Sequence, residues 1–357
     1  MGFGKLGTQG GGGVRAAVVN EVMRRSVAWY DFDPLDGVAF QEAAATTDAD
    51  APGEPLGAWL DRFRRDVPAT QSTAGYRPPL GRTVKGGRKN LYTYSNDLSN
   101  AVWIKSNTLV TDEAVTSPDG FKLWKLAADA TTTTYLYRVT NAAVSAYTCS
   151  FIVKKGSGAT DMSIFGVYNA TSTSDITFYR VNTDTGAITF TGGSVLSGVT
   201  VESLGSNTWL VTHVLSSGFT IGQNLNFYFG SAGGPVTSGL YSYVGEVQIE
   251  VGTERTPFQN VVLANDITMA GMDELWYAAF DQVDDALSVS VPDLGSDAVV
   301  AYADENGVTI LEGQTIDSSY PLITSERLFA LAIWDDPLTE AEKSAVRSIL
   351  MSLTEAI

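Results

Sequence analysis

The side chains in this 357-residue sequence best suited to chemistry are aromatics set in alternating runs. Tyr135 and Tyr137 are two residues apart, as are Tyr241 and Tyr243, and Trp103, Tyr168, Tyr179 and Tyr228 sit in similar company. An aromatic ring held at a surface stacks on the CH face of a sugar, and nearby amides or carboxylates take the hydroxyls. These eight residues are therefore the candidate ligand-binding set. Each also fits a core or cross-strand position, where alternating aromatics stabilise sheets. Trp124 and Trp209 sit within apolar alternation and read as core. Glu246, Gln248 and Glu250 alternate opposite Val247, Ile249 and Val251. They could bind hydroxyls or Ca²⁺, or form an ordinary wetted strand face.

Enzyme chemistry finds less support. Polysaccharide cleavage wants two carboxylates about 5 to 9 Å apart. The pairs Asp273-Glu274, Asp284-Asp285 and Asp335-Asp336 are adjacent, and adjacent strand residues point to opposite faces. His213, the only histidine, lies in the regular strand Thr208–Leu215 and reads as packed. No Gly-x-Ser-x-Gly elbow and no metal-ligand cluster is present. The glycines Gly10 to Gly13 lack the preceding strand and the Lys-Ser/Thr of a phosphate cradle, and read as a tether. Asp31 to Gly37 has the wrong spacing for a calcium loop and reads as a turn. The sequence thus supplies no catalytic residue, no metal site and no cofactor.

Composition narrows the partners. Hydrophobic residues make up 44% of the chain and charged residues 18%, enough to bury a large core. The net charge of -17 repels phosphate, so nucleic acid is not an expected partner. The charge is uneven. Residues 261–357 hold 18 acidic and 3 basic side chains, whereas Arg77, Arg82, Lys85, Arg88 and Lys89 fall in 71–90 with no acid among them. Such asymmetry suggests different partners at the two ends, or two solvated surfaces. The one cysteine, Cys149, excludes an intrachain disulfide and reads as a buried small hydrophobe. No stretch approaches a membrane span, and Met1 to Gly7 lacks a signal-peptide core, which implies assembly in a cytoplasm.

Three regions follow. Residues 1–89 lack sustained periodicity; Leu56 to Val67 could form a short helix, and ordering by other chains is expected. Residues 90–260 carry strand-like runs every 8 to 15 residues, among them Thr134–Val139, Tyr147–Lys154, Ile176–Asn182, Thr208–Leu215, Asn224–Gly230 and Tyr241–Val251. That spacing is the mark of an antiparallel sandwich or barrel. Asp184-Thr-Gly186 closes a hairpin. Residues 261–357 read as a small α+β module. Its last strand, Arg327–Ile333, leads to Thr339 and Glu342, the capping box of a terminal helix. The expected fold is mainly β: an extended N-terminal arm, a sandwich, and an α+β module ending in a helix.

The run from Arg88-Lys-Asn-Leu-Tyr through Trp103-Ile-Lys-Ser resembles the opening of carbohydrate-binding-module-like jelly-roll domains in tailed-phage virion proteins. Ser117-Pro-Asp-Gly-Phe-Lys-Leu-Trp and Gly245-Glu-Val-Gln-Ile-Glu-Val-Gly-Thr-Glu-Arg-Thr-Pro-Phe resemble a later turn-strand and the exit strand of such domains. Ala330-Leu-Ala-Ile-Trp-Asp-Asp-Pro-Leu-Thr-Glu-Ala-Glu resembles a concanavalin- or laminin-G-like fragment at the ends of phage fibres. The resemblance implies a head or tail fibre or spike subunit of a virion. It implies a homotrimer, attached to another virion protein through the arm and contacting host-surface glycan, without membrane insertion. A purely structural decoration protein and a polysaccharide depolymerase stand as alternatives.

Overall fold

A computed structural model describes residues 21–31, 37–63, 67–129, 134–156, 163–193, 198–232, 240–322 and 325–355. The glycine tether at 10–13 and most of the turn at 31–37 lie outside them. The chain divides into two compact units: one joins the residues up to Gly87 to those from Asp273 onward, and the other is Arg88–Met272.

In the first unit, distant pieces of chain share one sheet. Strand β1 (Ala28–Asp31) pairs antiparallel with β25 (Arg327–Trp334), Ala28 opposite Ile333. Strand β5 (Leu80–Val84) pairs with β20 (Glu274–Ala279), which in turn meets β25. On its other edge β25 meets β22 (Gly295–Asp304), which forms a hairpin with β23 (Gly307–Ile316). A smaller sheet has the order β2 (Ala39–Phe40), β3 (Ala58–Trp59), β4 (Ala69–Thr70), β21 (Ser288–Ser290), β24 (Ser319–Pro321).

The sequence Arg-Leu-Phe-Ala-Leu-Ala-Ile-Trp of β25 is apolar on both faces because both are covered. Leu331 and Ile333 enter a core with Tyr30, Trp59 and Val300. Ala332 and Trp334 face the opposite way, toward Val346 and Leu350 of the terminal helix Glu340–Leu353. That helix begins with the expected capping box, Thr339 and Glu342 each bonding the other's backbone.

The expected arm over 1–89 and separate tip over 261–357 are corrected here. β1 and β5 are strands of a sheet completed by the C-terminal segment, with pairing partners hundreds of residues away in sequence. Residues 56–67 contribute a strand, not a helix: Trp59 is needed in the core, where it meets the Tyr30 ring at 5.2 Å. The basic run is used within the chain as well. Arg82 pairs with Glu274 at 3.3 Å, and Lys85 donates to the carbonyls of Met351 and Thr354 at 2.7 Å, closing the last helical turn.

The second unit is a β-sandwich. One sheet has the order β14 (Val199–Gly205), β15 (Thr208–Leu215), β10 (Tyr147–Lys155), β17 (Tyr241–Val251), β8 (Lys122–Ala128), β7 (Thr108–Thr116). The other runs β13 (Ile188–Gly193), β12 (Ser174–Val181), β11 (Ser163–Asn169), β16 (Asn224–Ala232), β9 (Thr134–Asn141), β6 (Ile104–Ser106). Successive strands change sheet from β8 to β9, β10 and β11, then again from β15 to β16 and β17, which is the jelly-roll wrap. Strands β18 (Gln259–Leu263) and β19 (Asp266–Met269) follow as a hairpin.

Between the sheets Phe151 stacks on Phe165 at 5.4 Å, and Phe229 packs edge-on to both at 5.4 Å. The hairpin foreseen at Asp184-Thr-Gly186 forms, with the Asn182 side chain accepting from Asp184 and Thr185 N–H and Gly186 at φ 71°.

A chain ended at Met272 lacks the strands that β1 and β5 pair with. Limited proteolysis with mass spectrometry should then cut freely within residues 28–84 and spare 88–272. Protection of 28–84 in the truncated chain would contradict the shared sheet.

Candidate functional site

Four of the eight candidate aromatics meet on the outer face of the β9–β16–β11–β12 sheet. The registers align one row across it: Ile104 opposite Tyr137, Tyr137 opposite Tyr228, Tyr228 opposite Gly166, and Gly166 opposite Phe178. Tyr135, two residues from Tyr137, closes on the row from one side. Asn226, Tyr168 and Asp175, successive partners on β16, β11 and β12, flank it on the other. Alternation decides this. Leu136, Phe165, Phe227 and Phe229 point into the core, so their neighbours in sequence point out.

The rings form one cluster. Tyr228 lies 4.7 Å from Tyr135, 4.9 Å from Tyr137 and 5.8 Å from Phe178 between centroids. Gly166 makes room for the last of these, since a Cβ there would stand 2.1 Å from the Phe178 ring. Asn226 donates to the Tyr228 hydroxyl at 3.1 Å, which fixes that ring's polar end. Burial of the Tyr228 phenol pushes its pKa above the ordinary tyrosine value, so it stays a neutral donor. A cavity of about 240 Å³ opens here, lined by Tyr135, Ile164, Tyr168, Asp175, Phe178 and Tyr228. Stacking surface beside a few polar groups can pack a ligand's apolar face and bond its polar edge.

The other four candidates go elsewhere. Trp103 is corrected to core: it is 1% exposed, edge-on to Tyr92 and Phe229, and donates from Nε1 to the Tyr94 carbonyl at 3.0 Å. Tyr179 is likewise buried, packed on Phe165 and His213. Tyr241 and Tyr243 lie together on β17, in the opposite sheet. There Lys125 covers the Tyr241 ring at 4.2 Å, and Glu113 accepts from the Tyr243 hydroxyl and from Lys125, both at 2.7 Å. Those polar groups are already occupied by one another.

Phe178, Ile164, Asn226 and Asp175 were not among the candidates. The usable signal lay in β12, where Phe178 shares its parity with the charged Arg180 and Tyr179 shares its own with Val181. A β-bulge hid Asp175: Val167 pairs with Thr177 and Tyr168 with Asp175, leaving Ile176 as the extra residue.

Glu246, Gln248 and Glu250 do not form the wetted strand face. All three are at most 2% exposed. Gln248 donates to Glu250 at 2.8 Å and accepts from Gln259 N–H at 2.7 Å, and Glu250 accepts from Thr256 N–H at 3.1 Å. Among the described residues neither carboxylate oxygen of Glu246, at φ 49°, meets a full hydrogen bond, although the Ser117 hydroxyl lies near enough to favour the charged form. Burial raises its pKa from 4.5 to about 7. Ser117 and Arg255 oppose the rise and Asp119 adds to it.

His213 sits in the core against Phe165 and Tyr179, and burial lowers its pKa to about 4, keeping it neutral. The pair Asp284-Asp285 belongs to a turn in which Asp281 accepts from the N–H of both and of Val283. Asp281, Asp284 and Asp285 are the one group of three or more acidic, His or Cys side chains among the described residues close enough to share a cation. Among the described residues no helix is long and apolar enough to cross a membrane.

No protein-family model matches the chain, and no curated protein matches it. Several solved structures resemble about half of it. The C-terminal family 22 carbohydrate-binding module of Clostridium thermocellum Xyn10B is 15% identical over 47% of this chain and 98% of that one, with a TM-score of 0.30. A family 11 carbohydrate-binding module from Clostridium thermocellum, in complex with a β-1,3-1,4-mixed-linked tetrasaccharide, is 12% identical over 49% and 98%, TM-score 0.27. An arabinose-bound α-L-arabinofuranosidase is 11% identical over 48% of this chain, TM-score 0.26, and only 26% of that protein's length is matched. Likeness at this level carries no argument about ligand or reaction.

The orphaned carboxyl gives a pH signature. Because the folded pKa of Glu246 lies above its unfolded value, the native state binds the extra proton between pH 4.5 and 7. Its contribution is most favourable below pH 4.5 and falls as pH rises toward 7, by about 3 kcal/mol. Denaturant midpoints for wild type and Glu246→Gln should therefore diverge as pH rises from 4.5 to 7, the variant becoming the more stable. Parallel curves would exclude an unpaired carboxylate.

Proposed function

We propose that this protein is a non-enzymatic adhesion protein whose sandwich unit holds a polysaccharide on the outer face of the β9–β16–β11–β12 sheet. One observation supports the role above the others: Tyr135, Tyr137, Tyr228 and Phe178 gather into a half-exposed cluster beside Tyr168, Asn226 and Asp175. Rings at such a place supply stacking area at small entropic cost, and the polar groups read hydroxyls. A role without hydrolysis fits the cavity lining, which among the described residues holds one carboxylate, where glycoside cleavage ordinarily calls for two.

The setting follows from sequence resemblance. The protein would be a fibre or spike subunit of a tailed-phage virion, assembled in the host cytoplasm. It would be a homotrimer attached to another virion protein through its glycine-rich opening, with host-surface polysaccharide as ligand. Three weak sites on one trimer would reach useful avidity without further contacts.

The role is tested by affinity electrophoresis of the full chain through polysaccharides extracted from host envelopes, with retention on cells before and after the polysaccharide is stripped. Wild type should be retarded, and Tyr228→Ala should bind about tenfold more weakly, the loss of a well-placed ring. A folded trimer that is not retarded points to a structural decoration protein. Release of oligosaccharides points to a depolymerase.

A further inference from the structure

The aromatic face is not uniform, and its one charged lining group narrows the ligand. The β-bulge at Ile176 shifts the phase of β12, so Ile176 enters the core at 2% exposure while Asp175 comes out on the same face as Phe178. Bulges of this kind re-aim a side chain next to a site. The outward carboxylate lies at the end of the cavity lined by Tyr135, Ile164, Tyr168, Phe178 and Tyr228. Among the described residues it has neither an ion-pair nor a hydrogen-bond partner, which leaves its acceptor lone pairs available.

Two physical limits act on what fits. At about 240 Å³ the cavity is smaller than pockets that enclose drug-sized ligands, so it takes one sugar ring and leaves the rest of a chain on the open face. Among the described residues no lysine or arginine lines it, and the carboxylate stands in a chain of net charge -17. A uronate or other anionic sugar placed there meets like charge, and the cation on that strand face, Arg180 opposite Ile164, already has an interaction of its own. A neutral pyranose with two neighbouring hydroxyls meets the opposite: a carboxylate able to accept from both, with its CH face on the rings.

Building on the glycan-binding role above, we infer that Asp175 is the specificity-determining residue of this face. It selects a single neutral pyranose, bound through a vicinal pair of hydroxyls, and rejects anionic sugars.

The test is affinity electrophoresis of the full-length protein and its Asp175→Ala, Asp175→Asn and Tyr228→Ala variants. The gels hold mannan, galactan or mixed-linkage β-glucan as neutral probes, and polygalacturonate as the anionic one. Thermal melts confirm that each variant is folded; Asp175 is exposed, so no loss is expected. Wild type should be retarded by at least one neutral polymer and not by polygalacturonate. Asp175→Ala should weaken that retardation at least tenfold, and Asp175→Asn, which keeps one acceptor, by less. If Tyr228→Ala loses binding while Asp175→Ala keeps it, the selectivity assigned to Asp175 is overturned and the glycan face stands. Stronger retardation by polygalacturonate than by the neutral polymers overturns it as well. If wild type is retarded by none of the four polymers nor by host polysaccharide, the glycan face itself fails, and the selectivity with it.

Discussion

The aromatic face is held in place from behind. Phe151 from one sheet and Phe165 and Phe229 from the other form a packed trio between the sheets, extended by Tyr179, Phe227 and Trp103. With side chains alternating strictly along a strand, this inward set leaves its neighbours one possible direction. A slip of one residue in β16 would put Tyr228 inside and Phe227 and Phe229 in water. The outer cluster therefore inherits its register from the core. Its rings are placed by rigid strands, which hold side-chain geometry better than a loop does.

The first unit solves a different problem. Its N-terminal strands are too short to hold together alone, and two- or five-residue strands bury little. β1 is held by β25 and β5 by β20; β25 is so apolar that both faces must be covered, by Tyr30 and Trp59 on one side and the terminal helix on the other. The charge asymmetry of the sequence finds its meaning in the same unit. Of the basic run, Arg82 pairs with Glu274 and Lys85 donates to the carbonyls of Met351 and Thr354, while Arg77 bonds carbonyls of Gln41, Gln71 and Ser72. Two ends that looked fit for different partners are partly fit for each other.

What the sequence made legible follows how local each signal is. The strands of the sandwich, the Asp184-Thr-Gly186 turn and the Thr339/Glu342 cap all depend on residues a few positions apart, and all are present. The union of residues 28–84 with 274–334 depends on pairing across the whole chain, which no window of sequence displays. Among the site residues, Tyr135, Tyr137, Tyr168 and Tyr228 could be found because each alternates with apolar neighbours. Trp103 was misplaced because nothing local shows that Tyr92 and Phe229 close over it. Tyr179 faces the core and Phe178 the surface because of strand parity, which residue type alone does not show. Glu246, Gln248 and Glu250 looked solvated because the segment that covers them, through Thr256 and Gln259, follows β17 in the chain and gives no periodic cue.

Asp175 and Glu246 show one backbone device with opposite results. In β12 the extra residue Ile176 is apolar and drops into the core, so the bulge delivers a carboxylate to the surface at no cost in buried charge. In β17 Glu246 and Val247 together face Phe151, and here the extra residue is the carboxylate itself, held at φ 49° and 2% exposed. A non-glycine residue in that region costs about 1 to 3 kcal/mol, and an unpaired buried acid adds to it. The neighbouring Gln248 and Glu250 are satisfied by Thr256 and Gln259. The strain at Glu246 thus accompanies the polar seam of Gln248 and Glu250 along β17, in the sheet opposite the Tyr135, Tyr137 and Tyr228 cluster. The two bulges divide the sandwich: one exposes a charge where a ligand can use it, and the other buries a charge where only the fold can.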